Sequence, residues 1–114
     1  DKPDTLICLN GPSLEKFENK VKNHGLLLFN NDSKNEKILR DDITVFSING
    51  EELAIAAGSS KIVNMPFIGA YTKISKLIPI NVVLDTISEI VSEHYKKILE
   101  INIKALKIGY NAVN

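Results

Sequence analysis

Apolar and polar positions follow two different rhythms along the chain. In the first half, short unbroken apolar runs are separated by polar stretches. Thr5-Leu6-Ile7-Cys8-Leu9-Asn10 and Leu26-Leu27-Leu28-Phe29-Asn30 are such runs. Continuity without alternation suits strands buried on both faces, as in a parallel sheet. Between them, Leu14, Phe17 and Val21 fall at helical spacing among Glu15, Lys16, Glu18, Asn19 and Lys20. This predicts an amphipathic helix of about two to three turns, with Ser13 as its cap. Asn23-His24-Gly25 is its stop signal, Gly25 being the residue expected to turn left-handed. Strand, helix and strand make a βαβ unit, expected to be right-handed. The polar stretch 31–42 then reads as an exposed connection, and Ile43-Thr44-Val45-Phe46-Ser47-Ile48 as a third strand.

After Gly58 the rhythm changes from mixed to helical, and one short helix already precedes that point. Glu51 to Ala57 predicts a short helix with acidic residues at its positive end and Gly58 as its stop. Asn64 is placed to cap a second helix with Pro66 in its first turn. Val63, Phe67, Ala70 or Tyr71, Ile74 and Ile78 mark its apolar side, and Pro79 is expected to end it. Asn81 would cap a third helix, with Leu84, Ile87, Val91 and His94 on one stripe and Ile90 beside it. The last helix, from about Lys96, carries two apolar stripes. Leu99, Ile103, Leu106, Tyr110 and Val113 form one; Ile98, Ile101, Ala105, Ile108 and Ala112 form the other. A helix apolar around most of its circumference is buried on more than one side, and in a chain this short a partner is expected to supply part of that burial. The fold class is therefore α/β: an open, mostly parallel, Rossmann-like sheet with C-terminal helices.

Composition narrows the function. The 114 residues suffice for one domain, 1–114, with 44% hydrophobic and 25% charged residues, an ordinary globular balance. Fourteen basic residues meet fourteen acidic ones, which argues against a nucleic-acid partner and against a polybasic membrane patch. The longest apolar runs are a few residues, too short to span a membrane. A single cysteine, Cys8, excludes an internal disulfide and a cysteine-based zinc site, and a reducing cytoplasm is the expected compartment. The chain starts at Asp1 instead of Met, so it reads as a fragment or processed form.

No residue is nominated for catalysis, cofactor binding or metal binding. His24 lies in a helix-end turn and His94 by an apolar stripe, both suited to structural roles. Cys8 sits inside an apolar run and reads as core. Asp41-Asp42 and Glu51-Glu52 are adjacent pairs, which do not converge across a cleft as paired-carboxylate catalysis requires. Arg40, the only arginine, could clamp a phosphate or carboxylate, with a loop salt bridge as the plainer reading. Gly11 follows the first strand where a dinucleotide fold would carry G-x-G-x-x-G, but only one glycine is present. Gly58-Ser59-Ser60-Lys61 lacks the rest of a phosphate loop and reads as a helix stop. Open α/β sheets bind ligands at the C-terminal ends of their strands, which makes Asn10, Gly11 and Asn30 the candidate ligand-facing residues. These readings leave a non-enzymatic α/β interaction module, and a small nucleotide-binding domain, as alternatives to an enzyme subunit.

Four segments carry a resemblance. Asp4-Thr5-Leu6-Ile7-Cys8-Leu9-Asn10-Gly11-Pro12-Ser13-Leu14 resembles the D-x-x-(V/I)-x-L-N-x-P-S-L segment of the gamma subunit of 2-oxoacid:ferredoxin oxidoreductases. Gly25-Leu26-Leu27-Leu28-Phe29-Asn30 resembles its G-G-x-L-(I/V)-x-N strand. Val63-Asn64-Met65-Pro66-Phe67-Ile68-Gly69-Ala70 is similar to its x-N-M-x-x-L-G-A helix, and Asn102-Ile103-Lys104-Ala105-Leu106-Lys107-Ile108-Gly109-Tyr110 to its N-x-x-A-x-x-x-G-Y helix. The resemblance implies a complex that oxidatively decarboxylates a 2-oxoacid, 2-oxoglutarate by preference, to its coenzyme A thioester, with electrons passed to ferredoxin or a similar acceptor. It implies thiamine diphosphate held by alpha and beta subunits, iron–sulfur clusters, and a gamma domain near the coenzyme A side. The expected partners are thus alpha, beta and ferredoxin-like subunits, with no cofactor bound by this fragment. The family's glycine-rich G-x-G-G-x-G loop is not in this sequence, so the chain resembles the C-terminal part, with the first βα units absent. The stripe Leu99, Ile103, Leu106, Tyr110 and Val113 would then face a neighbouring subunit.

Overall fold

The computed structural model describes residues 2–10, 14, 16–31, 40–90 and 96–113. They form two compact units, residues 1–49 and residues 50–114.

The first unit is built on three parallel strands, β1 (Thr5–Cys8), β2 (Leu26–Asn30) and β3 (Thr44–Ile48), in the order β1-β2-β3. Leu6 pairs with Leu27 and Leu27 with Val45, so the middle strand is bonded on both edges. Leu27 and Leu28 point to opposite faces of β2 and are both fully buried, which is why its sequence is continuously apolar. Each such burial contributes about 1.5–3 kcal/mol. One face gathers Leu6, Cys8, Leu27, Phe29 and Val45, covered by Leu14 from the β1–β2 crossover. The crossover is tighter than the expected amphipathic helix. Lys16 and Phe17 are helical, Glu18–Lys20 is a 3₁₀ turn, and Val21 is already extended with ψ 132°.

The stop that follows is also built differently. His24, not Gly25, takes the left-handed conformation, with φ 67°. Gly25 is needed for space: a Cβ there would lie 2.7 Å from both the Asp4 and Lys22 carbonyl oxygens. Close approach lets the Leu26 amide donate to Asp4 O at 2.8 Å and start the ladder.

The second unit holds four helices: α1 (Gly50–Ala57), α2 (Asn64–Ser75), α3 (Ile80–Ile90) and α4 (Lys96–Asn111). α1 carries Glu51 and Glu52 in its first turn, where they meet the positive end of the helix dipole. It ends in a Schellman arrangement, with the Ser59 and Gly58 amides donating to Ala54 O and Ile55 O at 3.1 and 3.0 Å. Gly58 adopts φ 124° there.

The ends of α2 differ from expectation. Val63 precedes it without a side-chain cap, so Asn64 is a helical residue and not the cap. α2 stops at Ser75, before Pro79, because Lys76 turns left-handed (φ 56°) and its amide closes on Thr72 O. Pro79 instead opens α3: its carbonyl accepts the Val82 and Val83 amides at 3.1 and 3.3 Å, which leaves Asn81 inside the helix. Val91 and His94 lie outside the described residues. The core of this unit gathers Ala57, Met65, Ala105 and Leu106, with Val83, Leu84 and Ile87 against it.

Candidate functional site

The strand ends are the first place to look for a ligand. Asn30 closes β2, opposite Ile48 of β3. Asn10 lies two residues beyond β1, exposed, and its carbonyl accepts the Leu14 amide at 3.2 Å, so it opens the crossover. Gly11 lies outside the described residues. Asn10, just beyond β1, and Asn30, the last residue of β2, thus follow the C-terminal ends of paired strands, the edge at which α/β sheets bind ligands. Cys8 is buried among Leu14 and Leu27, as expected for core.

Arg40 is a positional clasp in the first unit. Its Nε and Nη2 donate to the two carboxylate oxygens of Asp42 at 2.8 and 2.6 Å. Nη1 donates to the carbonyls of Glu18 and Val21 at 3.1 and 2.6 Å. All faces of the guanidinium fork are engaged, a use for which lysine is no substitute. The hydrogen bonds from Arg40 hold the Asp42 carboxyl below its ordinary range, and the same bonds raise the guanidinium. Asp42 O also accepts the His24 amide at 2.9 Å. The clasp therefore joins the 3₁₀ turn, the left-handed turn and the entry to β3.

The C-terminal stripe is divided by the structure. Leu106 and Val113 are buried by the chain itself, Leu106 within the Met65–Ala105 cluster. Both therefore leave the proposed subunit-facing stripe; Leu99, Ile103 and Tyr110 remain partly exposed. The buried line of α4 is Ala105, Leu106 and Gly109, a line between the two predicted stripes. The reason is a backbone-on-backbone crossing of α2 and α4. A Cβ on Gly69 would run into Leu106 O, and one on Gly109 into Pro66 O. Beside the crossing, Lys73 Nζ lies 4.7 Å from the centre of the Tyr110 ring, a cation–π contact.

α3 is held in another way. None of its residues is fully buried, and a groove of about 550 Å³ opens along it, walled by Ile68 and Tyr71 of α2, Val82, Thr86 and Ile90 of α3, and Asn102 of α4. The Thr72 and Thr86 hydroxyls in its walls donate to Ile68 O at 2.7 Å and Val82 O at 2.8 Å. Each is thus turned back onto its own helix, and the groove is apolar in effect. No sequence signal pointed to it, since periodicity shows that a stripe is apolar but not whether the chain covers it. Among the described residues no three His, Cys, Asp or Glu side chains converge to hold a metal ion, and no helix is long and apolar enough to cross a membrane.

Residues 1–112 match the family described as pyruvate ferredoxin/flavodoxin oxidoreductase. Comparison with curated proteins returns no match. Among solved structures, the chain is similar to the gamma subunit of keto/oxoacid ferredoxin oxidoreductase from Geobacter sulfurreducens PCA. That match has a TM-score of 0.82 at 20% identity and covers 95% of this chain and 62% of that one. A second is 2-oxoglutarate:ferredoxin oxidoreductase from Magnetococcus marinus, solved with 2-oxoglutarate, coenzyme A and succinyl-CoA bound. Its TM-score is 0.84 at 18% identity, covering 100% of this chain and 21% of that one. A third is pyruvate oxidoreductase subunit PORC from Thermotoga maritima, with a TM-score of 0.77 at 20% identity, covering 96% and 63%. The chain thus spans about three fifths of the Geobacter sulfurreducens and Thermotoga maritima chains.

Proposed function

This chain belongs to the pyruvate ferredoxin/flavodoxin oxidoreductase family, and on that premise we propose that it is the gamma part of a 2-oxoacid:acceptor oxidoreductase. The observation that carries the reading is the family match over residues 1–112, together with the likeness of fold to the Geobacter sulfurreducens gamma subunit. In this reading both units are parts of one gamma-type domain. The complex decarboxylates a 2-oxoacid, joins the acyl group to coenzyme A and passes two electrons to ferredoxin or a similar acceptor in the cytoplasm.

The role of this chain within that complex is structural. Iron–sulfur clusters need several thiolates and this stretch has only Cys8, so residues 1–114 do not hold a cluster in this reading. Thiamine diphosphate, which supplies the carbanion chemistry, is assigned to the alpha and beta subunits. Leu99, Ile103 and Tyr110 of α4 are the residues left to meet a neighbouring subunit, and Asn10, Gly11 and Asn30 the strand-end residues left to meet a ligand. 2-Oxoglutarate is the preferred substrate, since the Magnetococcus marinus enzyme solved with it aligns over the whole of this chain.

The test is to purify the tagged full-length gene product from its source and identify the chains that accompany it. Viologen dye reduction is then assayed with coenzyme A and a panel of 2-oxoacids. Co-elution with thiamine-binding and iron–sulfur subunits, and dye reduction with 2-oxoglutarate, is the expected result. A protein that elutes alone and reduces no dye overturns the reading.

A further inference from the structure

Charge is unevenly spread over the second unit. Residues 53–84 and 101–114 hold five lysines and no aspartate or glutamate, in a chain whose basic and acidic residues balance at fourteen each. Two of these lysines, Lys73 and Lys76, line a hollow of about 290 Å³ together with Tyr110 of α4 and the apolar Ile78, Pro79 and Ile80. The ion pairs among the described residues are Lys22–Asp4 and Arg40–Asp42, so among these residues neither lysine has a carboxylate partner. The negative end of the α2 dipole favours cations at this place, which accounts for their charge but not for where Lys73 reaches. Its Nζ is drawn across to α4 and lies 4.7 Å from the centre of the Tyr110 ring.

The type of cation sets the type of anion. A planar carboxylate is best met by the two-pronged fork of arginine, whereas an ammonium is a point charge suited to a tetrahedral group. Two ammoniums match the charge of about −2 that a phosphomonoester carries near pH 7, and a tyrosine hydroxyl adds a neutral donor. The hollow is larger than a phosphate group alone, and Ile78, Pro79 and Ile80 offer the remainder of a ligand an apolar surface. We propose that this hollow binds the phosphate of a small soluble phosphomonoester. Lys73 and Lys76 hold the phosphate, the Tyr110 hydroxyl donates to it, and the organic part lies against residues 78–80. The proposal stands apart from the gamma-part reading, since it uses side chains of this chain alone and needs no partner subunit.

The test titrates the isotope-labelled full-length chain with phenyl phosphate at constant ionic strength and follows its backbone and lysine side-chain NMR signals. The expected result is saturable shifts at Lys73, Lys76 and Tyr110, with a Kd of about 1 mM or tighter. Lys73→Gln and Lys76→Gln should each weaken binding about tenfold. Tyr110→Phe, which keeps the ring beneath Lys73, should weaken it about threefold. Thermal melting is the folding control, and Lys76→Gln, at an exposed position, keeps the test valid if Lys73→Gln does not fold. Shifts that grow without saturating, or that appear equally at Lys16, Lys20 and Lys104, are those of a loose ion atmosphere and overturn the proposal. An unchanged Kd in both lysine variants overturns it too. Co-sedimentation with phosphatidylglycerol vesicles, against phosphatidylcholine as the control, tests the other source of phosphate. Binding to those vesicles that the double lysine variant abolishes, with no response to phenyl phosphate, overturns the proposal in favour of a lipid headgroup.

Discussion

The two helices that flank α2 are held to it by opposite means. At the α4 crossing, Gly69 and Gly109 leave no Cβ at the two points of closest approach, so that each helix backbone touches the other there. At α3, contact runs through partly exposed aliphatic side chains that bury none of the helix residues completely. The first contact depends on absent atoms and leaves no room to adjust. The second depends on atoms in excess of what the chain can cover. A close crossing marks the part of the unit that fills itself; an open groove marks the part where apolar surface stays uncovered by the described residues.

That contrast is open to direct attack. The largest effect is expected at the crossing. Gly69→Ala or Gly109→Ala forces the helices apart, and since the obstruction is backbone and not a mobile side chain, each should cost about 3 kcal/mol or more. Chemical denaturation of each variant would show it. The double variant should cost less than the sum, because one separation relieves both clashes. A cost below about 1 kcal/mol would mean that α2 and α4 are not packed this closely. Leu106→Ala comes next, at about 2–5 kcal/mol for a cavity in a fully buried site.

Acid sharpens the contrast from the side of the sheet. Asp42 has its folded carboxyl pKa held down by Arg40, so the clasp stabilises above the ordinary carboxylate range near 3.9. That contribution is lost as pH falls through the lower folded value. At the crossing, neither α2 nor residues 101–111 of α4 carry a carboxylate. Amide exchange followed from pH 5 to pH 2 should therefore open the 3₁₀ turn and the entry to β3 while Gly69 and Gly109 stay protected. Arg40→Lys should remove most of the acid sensitivity; if it leaves the profile unchanged, the clasp is not its source. The smallest effect belongs to Ile90→Lys. At 76% exposure it should change the stability of the isolated chain by less than about 0.5 kcal/mol, measured by thermal melting.

How much of this was legible in the sequence varies by residue. Leu26 to Asn30 announced a doubly buried strand because parallel pairing leaves no polar face, and the ladder bears this out. Arg40 was legible as a salt bridge; its two carbonyl contacts were not, since they depend on where the crossover ends. Helix ends were the least legible. Gly25 looked like the left-handed stop, yet its missing Cβ serves close approach to Asp4 and Lys22 while His24 takes the positive φ. The same ambiguity hid the crossing: a glycine inside a helix reads as a local weakness until its partner helix is placed. Gly69 and Gly109 do stand in the two helix segments that carried the family resemblance, so part of that motif records packing geometry. The candidate strand ends were legible as a place. The groove was not, because coverage is a tertiary property.

The order of the sheet has a consequence for synthesis on the ribosome. β1 and β3 each pair only with β2 among the described strands, and every pairing is parallel, so no strand can fold back on its immediate predecessor through a tight turn. The nascent chain must therefore carry Leu26-Leu27-Leu28-Phe29 half-paired until residues 44–48 leave the exit tunnel. For that interval an apolar strand keeps one edge open, the condition in which nascent chains are prone to associate wrongly.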